Sequence, residues 1–200
     1  MKILGIITAR AHSSRLFKKN LLKIKNKSLV EITLDFSKTI SKLSDVIITT
    51  NSKEIISIAK SKKIKNVENR PFGLSSITTS SALTVIHAIK WYELNHSKVD
   101  AICLLQPTSP FRDLKFVNKC IDIFIKNKKT VISTNPLCEK ISQNLSDGSV
   151  YIIKKNDLFR LRSFNEKFSI KVPSISKRNS LDIDNLKDLQ IADKLSKISI

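Results

Sequence analysis

Glycine is scarce in this chain: three of its 200 residues are glycine, and none lies between Gly5 and Gly73. The Walker phosphate loop and the dinucleotide-binding fingerprint both need closely spaced glycines in the turn after the first strand. That interval contains none, so both motifs are excluded there. A phosphate site that follows the first strand must therefore be built from side chains and ordinary backbone N–H groups.

Cysteine is also rare, and Cys103, Cys120 and Cys138 are odd in number and widely spaced. They lack metal-ligand spacing and do not form a disulfide framework, so we predict a reducing compartment. No apolar run reaches the roughly 18 to 20 residues that a membrane span needs. Residues 3–9 (ILGIITA) are short for the core of a signal peptide and are better explained as a buried first strand. We predict a cytoplasmic protein with no membrane partner.

Acidic residues are few: 17 Asp and Glu stand against 36 Lys and Arg, which gives a formal net charge of +19. Clustered cations would indicate nucleic acid, because they neutralise phosphates. Here the lysines are spread along the chain, without aromatic-rich strands or a basic recognition helix. We predict no nucleic-acid partner and interpret most lysines as solvated surface. The arginines are more informative: Arg10, Arg15, Arg70 and Arg112 lie at loop ends in segments rich in other polar groups, where a planar guanidinium suggests ligand contact.

Apolar residues make up 41% of the chain, and short β-branched runs of them alternate with helical patterns. The predicted strands are 3–8, 45–50, 101–105, 130–134 and 149–153. The predicted helices are 29–43, 53–62, 78–95, one that Asp113 caps, and 185–196. This order predicts an α/β fold: a single domain over residues 1–200 with a three-layer, doubly wound, mostly parallel sheet.

In such sheets ligands bind outside the carboxyl ends of the strands. The segment ARAHSSRLFKKN follows the first strand, TTN follows the second, and QPTSPFR follows the strand that ends at Leu105. We expect these loops to open on one edge of the sheet. The first loop combines cations, hydroxyls and backbone N–H groups, which together could hold a triphosphate. The alternative is an ordinary solvated loop in a lysine-rich protein.

Two further segments present polar groups from constrained backbone. In CLLQPTSPFRD (103–113) two prolines bracket Thr108 and Ser109, and Gln106 offers both a donor and an acceptor. The alternative is a helix-initiating turn in which Ser109 or Asp113 is only a cap. In NRPFGLSSITTSSA (69–82), Arg70 and a Ser/Thr run could contact a base or a sugar. Helix capping explains that run equally well.

The segment NSLDIDNLKDL (179–189) places Asp182 and Asp184 two residues apart in a chain with few acids. On extended backbone the two carboxylates project from one face, while Ile183 turns toward the core. Adjacent carboxylates repel, so either one is protonated or both hold a cation, and hard oxygen ligands favour Mg²⁺. The alternative is that Asp184 is only the N-cap of the last helix.

Together, ITARAHSSRLFKKN, RPFGLSSITTSS, LLQPTSPFR and SLDIDNLKDLQIA resemble the motifs of the CMP-sialic acid synthetases. These acylneuraminate cytidylyltransferases include the enzymes that activate legionaminic and pseudaminic acids. The resemblance covers nearly the whole chain and rests chiefly on LLQPTSP followed by S-x-DID. The first motif is shared with wider sugar nucleotidyltransferases, such as the CMP-Kdo synthetases.

The resemblance implies a Rossmann-like nucleotidyltransferase fold, with CTP and a nonulosonic acid as substrates and Mg²⁺ as cofactor. It implies that CTP is bound by Arg10, Ser13, Ser14, Arg15, Lys19, Asn20, Arg70, Ser80 and Ser81. The sugar would be bound by Gln106, Thr108, Ser109, Lys140 and Tyr151. The metal would be held by Asp182 and Asp184, which with Arg10 and Lys19 form the expected catalytic set.

The chain departs from the family pattern at several positions. Ser14 stands where a lysine is usual, Phe17 replaces a proline, Ile77 an aspartate and Asp147 an asparagine. In the family that the chain resembles, an insertion builds the arm of a homodimer, so the resemblance allows a homodimer here; the insert is shortened, around residues 135–148. Two alternatives stay open at this point: a related nucleotidyltransferase for Kdo or another sugar, and an inactive relative.

Overall fold

The sheet is built around the strand that begins the chain, β1 (Ile3–Thr8), whose apolar residues are buried. The structure is a computed structural model that describes residues 1–11, 13, 15–76, 79–136, 146–164 and 166–197. In these ranges the other strands are β2 (Lys23–Ile24), β3 (Lys27–Ser28), β4 (Asp45–Thr50), β5 (Asn66–Asn69), β6 (Ala101–Leu104), β7 (Val131–Thr134), β8 (Ser146–Lys154) and β9 (Ile170–Pro173).

Among the described residues, seven strands form one sheet in the order β5-β4-β1-β6-β8-β7-β9. The pairs β1–β4, β1–β6, β4–β5 and β7–β9 are parallel. Strand β8 runs antiparallel to both of its neighbours, β6 and β7. The prediction of a mostly parallel, doubly wound sheet is confirmed, and β2 and β3 form a separate small ribbon.

Helices cover both faces of the sheet. They are α1 (Leu29–Ser37), α2 (Lys53–Ser61), α3 (Ser81–Asn95), α4 (Leu114–Asn127), α5 (Lys155–Leu161) and α6 (Leu186–Lys197). Successive residues of β1 point to opposite faces, so Ile7 packs with residues of α1, α2 and α4, while Ile6 packs with residues of α3 and α5. Helix α6 closes a smaller cluster with Ile24, Leu29 and Ile183, next to the loop that follows β1.

The predicted first helix, 29–43, is too long. Helix α1 ends at Ser37, where the Ser37 hydroxyl donates to the Leu34 carbonyl and Ile40 N–H bonds back to Ser37. Ile40 is nevertheless buried and Leu43 packs on the same core, because the turns keep the apolar side chains facing inward. The apolar spacing therefore continued beyond the helix.

The sequence reasoning missed the two edge strands, the ribbon and α5. Strand β5 reads Asn-Val-Glu-Asn, which has one residue of high β propensity, and β9 ends at a proline. Edge strands tolerate such residues because a neighbour on one side supplies the pairing. Strand β8 is also longer than the predicted 149–153.

Two of the cysteines lie in the core. Cys103 and Cys120 are unpaired and buried, and burial raises the pKa of each thiol to about 12. Cys138 lies outside the described residues. None of the helices in the described ranges could cross a membrane.

Candidate active site

The loops that follow β1, β5 and β6 meet the segment before α6 at the carboxyl edge of the sheet, around a cavity of about 360 Å³. Eleven residues predicted for CTP, sugar or metal line it: Arg10, Ser13, Arg15, Lys19, Asn20, Arg70, Ser81, Gln106, Thr108, Asp182 and Asp184. Ser14 and Lys140 lie outside the described residues. Residues from the loop after β1 and residues from the segment before α6 thus line the same cavity.

The loop after β1 is fixed mainly through its backbone. Asn20 Nδ2 donates to the Arg10 carbonyl over 2.9 Å, and Ala11 N–H donates to Asn51 Oδ1 over 2.8 Å. Lys18 takes left-handed backbone (φ 48°) and leads into the short 3₁₀ turn at Lys19–Leu21. Because backbone contacts hold the loop, its cationic side chains are free to face the cavity.

The segment between residues 182 and 184 is extended, and Ile183 is fully buried with its N–H bonded to the Thr108 carbonyl over 2.8 Å. Both flanking aspartates line the cavity. Asn185, not Asp184, caps α6: its Oδ1 accepts from the N–H groups of residues 187 and 188, over 2.9 and 3.1 Å. Capping therefore does not account for Asp184.

Asp184 is held by two cations from the other end of the chain. Lys19 Nζ donates to its Oδ1 over 2.9 Å, and Arg15 donates to its Oδ2 over 2.5 Å. Burial alone would raise the pKa of Asp184, but these two cations outweigh burial and hold it below its ordinary value. Asp184 is therefore ionised at neutral pH.

Asp182 has a different environment. Burial raises its pKa, the neighbouring Asp184 adds to the rise, and a hydrogen bond with Thr108 opposes it. Its Oδ1 is shut off from solvent and has no hydrogen-bond partner among the described residues. A buried carboxylate oxygen without a partner is costly, and a bound cation would relieve that cost.

On the opposite wall, Arg70 is buried and lines the cavity. Its Nε donates to Thr49 Oγ1 over 3.2 Å, and an Nη donates to the Thr49 carbonyl over 2.8 Å. Burial lowers the pKa of Arg70 to about 10, so the guanidinium stays charged at neutral pH. Ser80 accepts from Leu83 N–H as the N-cap of α3, which is the capping alternative foreseen for this run, whereas Ser81 lines the cavity.

A second cavity of about 460 Å³ adjoins the first. Gln106 and Ser81 line both cavities, and Tyr151 lines the second. Ser109, predicted to shape a sugar pocket, is instead fully buried, and its hydroxyl donates to the Asp147 carbonyl over 3.3 Å. The proline-bounded turn therefore presents Thr108 to the site and turns Ser109 into the protein.

Comparison with known proteins decides the family. A family model described as cytidylyltransferase matches residues 4–189. The chain belongs to the cytidylyltransferase family.

Individual relatives of this cytidylyltransferase are distant but similar over nearly the whole chain. It is 26% identical to the CMP-N,N'-diacetyllegionaminic acid synthase of Legionella pneumophila, over 100% of the chain and 98% of that relative. It is also 26% identical to the N-acylneuraminate cytidylyltransferase of Escherichia coli, over 96% of the chain but 51% of that longer relative.

Solved structures show the same fold. A cytidylyltransferase from Leptospira borgpetersenii superposes with a TM-score of 0.73 at 21% identity, over 100% of this chain and 89% of that one. A CMP:2-keto-3-deoxy-manno-octonic acid synthetase complexed with CTP gives a TM-score of 0.71 at 13% identity, over 98% of each chain. The nucleotidyltransferase fold implied by the resemblance is thus confirmed.

Two residues shape the site of this cytidylyltransferase in ways that sequence reasoning did not predict. Arg112 is buried, and donates to the carbonyls of Ser149 (2.7 Å), Ser109 (2.6 Å) and Gln106, so it holds the turn that follows β6 instead of facing the cavity. Its place in the QPTSPFR segment was a signal, but the expectation of ligand contact was wrong.

Gly148 is the second such residue. It has φ +72°, and a Cβ there would come within 3.0 Å of Gln106 Oε1, 3.2 Å of Ser109 Oγ and 3.4 Å of Asp182 Oδ2. A side chain at this position would press on Gln106 and Ser109 in the turn after β6 and would contact Asp182. In a chain with three glycines, the rarity of the residue was the available signal.

Proposed function

We propose that this cytidylyltransferase couples CTP to the anomeric hydroxyl of a nonulosonic (sialic-type) acid, giving the CMP-sugar and pyrophosphate. The observation that carries the proposal is the meeting of two cavities at Gln106 and Ser81. One cavity is lined by cations and a carboxylate pair, as a metal-bound triphosphate requires, and the other is large enough for an acceptor. The relatives named as legionaminic acid and acylneuraminate enzymes support this acceptor class.

The triphosphate would lie against the loop after β1. Arg10, Arg15 and Lys19 supply positive charge, and Ser13 adds a hydroxyl at the same wall. Cations in such a site neutralise the charge that moves onto the leaving pyrophosphate. The cytidine would then reach toward Asn20, Arg70 and Ser81, on the side of the cavity near α3.

The reaction would be an in-line displacement at the α-phosphate. The anomeric oxygen forms the new P–O bond, the bond to the β-phosphate breaks, pyrophosphate leaves, and the hydroxyl proton passes to solvent. There is little covalent work for the protein, so positioning supplies most of the acceleration. Gln106, at the boundary of the two cavities, is placed to orient the acceptor.

We propose that Asp182 and Asp184 hold Mg²⁺. The unpartnered Oδ1 of Asp182 and the position of both carboxylates beside the triphosphate wall fit a hard cation that shares its coordination with phosphate oxygens. Bound there, Mg²⁺ would polarise the α-phosphate and lower the pKa of the attacking hydroxyl.

The test is a pyrophosphate-release assay with CTP, Mg²⁺ and a panel of sialic, legionaminic and pseudaminic acids and Kdo, with products identified by mass. We expect turnover of one nonulosonic acid. Asp182→Asn and Asp184→Asn should each lower kcat/KM by about 100-fold or more, as expected for lost metal ligands. Asp193→Asn is the matched control, because Asp193 pairs with Lys197 on α6 away from the cavities.

Three results would separate the alternatives. Turnover of Kdo alone would favour the related sugar nucleotidyltransferase. Full activity in a variant that carries both Asn substitutions would remove the metal assignment. Absence of turnover, together with no rise in Tm when CTP and Mg²⁺ are added, would indicate an inactive relative.

A further inference from the structure

We propose that Arg162 binds the carboxylate of the acceptor and makes this enzyme selective for acidic sugars. The inference rests on the proposed function and adds to it a residue that lies in none of the sequence motifs. Its basis is the charge distribution around the second cavity, which differs sharply from that of the first.

Among the described residues that line the second cavity, Arg162 is the sole charged one. Its other walls are apolar or carry neutral polar groups: Leu104 and Phe164 contribute hydrocarbon, and the Phe164 ring lies 5.1 Å from that of Tyr151. Arg162 is exposed, and it meets no competing carboxylate on the described walls of this cavity. An anionic ligand is the natural counterpart of that charge.

The cations that line the first cavity all contact protein groups, and the proposed function already assigns Arg10, Arg15 and Lys19 to the triphosphate. Arg15 and Lys19 both contact Asp184, and Arg70 is bonded to Thr49. Arg162, by contrast, has no side-chain hydrogen bond or ion pair to any group that the structure describes, a set that leaves out the side chain of Glu166. Nearby on the same helix, Arg160 is paired with Asp157 over 3.0 Å, so the two arginines of this segment differ in whether they have a partner.

The backbone conformation at the end of α5 determines the position of Arg162. It ends α5 in left-handed conformation (φ 50°), with its N–H bonded to the Leu158 carbonyl over 2.8 Å, and Phe164 two residues later is buried. Left-handed backbone is not itself a sign of function here, since Lys128 ends α4 in the same way. Its effect is to turn the chain so that residues 162–164 pass along the cavity wall.

The chemistry of the acceptor supplies the match. A 2-keto sugar acid carries its carboxylate on the carbon that bears the reacting hydroxyl, so a group that grips the carboxylate also orients that hydroxyl. Guanidinium binds carboxylate through two parallel hydrogen bonds, which fix direction as well as distance. A carboxylate held by Arg162 would keep the acceptor in the second cavity and its hydroxyl near Gln106, at the boundary with the first.

The experiment measures KM separately for acceptor and for CTP in Arg162→Gln, Arg162→Lys and Arg160→Gln, using the acceptor that the wild type turns over. We expect Arg162→Gln to raise the acceptor KM by about 10- to 100-fold and to leave the CTP KM within about twofold, as expected for loss of one charged hydrogen-bonded contact. Arg162→Lys should recover part of the loss. Arg160→Gln removes the same charge nearby and should behave as wild type.

A second arm uses the methyl ester of the same acceptor, which lacks the negative charge. Wild type should discriminate against the ester by a factor similar to the loss in Arg162→Gln, and Arg162→Gln should discriminate little. Equal acceptor KM in Arg162→Gln and Arg160→Gln, with an active wild type, would overturn the role of Arg162 and leave the cytidylyl transfer intact. A wild type that turns over no sugar acid would instead refute the function on which the inference rests.

Discussion

Replacing Arg112 with methionine should destabilise the protein strongly, although Arg112 lines neither cavity. Its guanidinium is buried and donates to the carbonyls of Ser149, Ser109 and Gln106. Burial lowers the pKa of Arg112 to about 10, so it is charged at neutral pH and these are charge-assisted bonds. Methionine fills a similar space but leaves these carbonyls without that donor.

The magnitude follows from those bonds. A hydrogen bond that involves a charged group contributes about 1.5–3 kcal/mol, and an unsatisfied buried carbonyl costs about 1–3 kcal/mol. Desolvation of the lost charge is recovered, which offsets part of the sum. We expect the free energy of unfolding to fall by about 3–5 kcal/mol, a large share of the about 5–15 kcal/mol typical of a domain. For a chain of this size the corresponding fall in Tm is about 6–20 °C.

Urea unfolding followed by circular dichroism measures the change, with Arg160→Met as the control. Arg160 has a side chain that is 72% exposed, so its replacement should change stability by less than about 0.5 kcal/mol. Arg112→Lys keeps the charge but cannot reach all of the carbonyls, and should fall between the two. A loss of less than about 1 kcal/mol in Arg112→Met would refute the reasoning that the guanidinium holds the turn after β6.

Other predictions concern single local features. Gly148→Ala should lower activity and stability together, the latter by about 1–2 kcal/mol in thermal unfolding, because φ +72° and close neighbours both oppose a Cβ; unchanged kinetics would contradict this. Cys103 and Cys120, whose pKa values burial raises to about 12, should resist a thiol reagent until the protein is unfolded in urea, and labelling of either in the native state, located by mass spectrometry, would contradict it. Ser28→Ala should cost about 1 kcal/mol at pH 7, because it removes the capping box of α1. Hydrogen bonds from Ser28 lower the pKa of Glu31 from its ordinary value of 4.5, so they stabilise the folded state above pH 4.5 and this stabilisation is lost as the pH falls further. The loss of stability in Ser28→Ala should therefore become smaller below pH 4.5. A loss of stability that does not change with pH would rule out the contribution of Glu31.

Much of the fold could be predicted because its signals are local. The β1 and β4 strands are short β-branched runs, β6 is a short apolar run, and α4 has the apolar spacing and aspartate cap that were expected. Strand β5 could not be recognised in the same way. Its residues have little β propensity of their own and form a strand because β4 offers a row of unpaired backbone groups.

Part of the candidate site could likewise be predicted from the sequence, and part could not. The polar segments were identified from residue type and from the rule that ligands bind at the carboxyl edge of a parallel sheet. Which side chain faces the cavity depended on packing: Thr108 lines it and Ser109 does not, although both stand between the same two prolines. Arg162 had no motif at all, since its position depends on where α5 ends against the sheet.

The sequence by itself determined the order of the five central strands and of the helices other than α5, together with the polar loops at one edge of the sheet. Each of these follows from residues close together in the chain. Only the tertiary structure decided that Lys19 and Asp184, 165 residues apart, form an ion pair. It also decided that Arg112 is hydrogen-bonded inside the protein, whereas Arg162 lines a cavity. The physical reason is that a side chain's partners are set by which distant segments pack beside it, and that packing is a property of the whole chain.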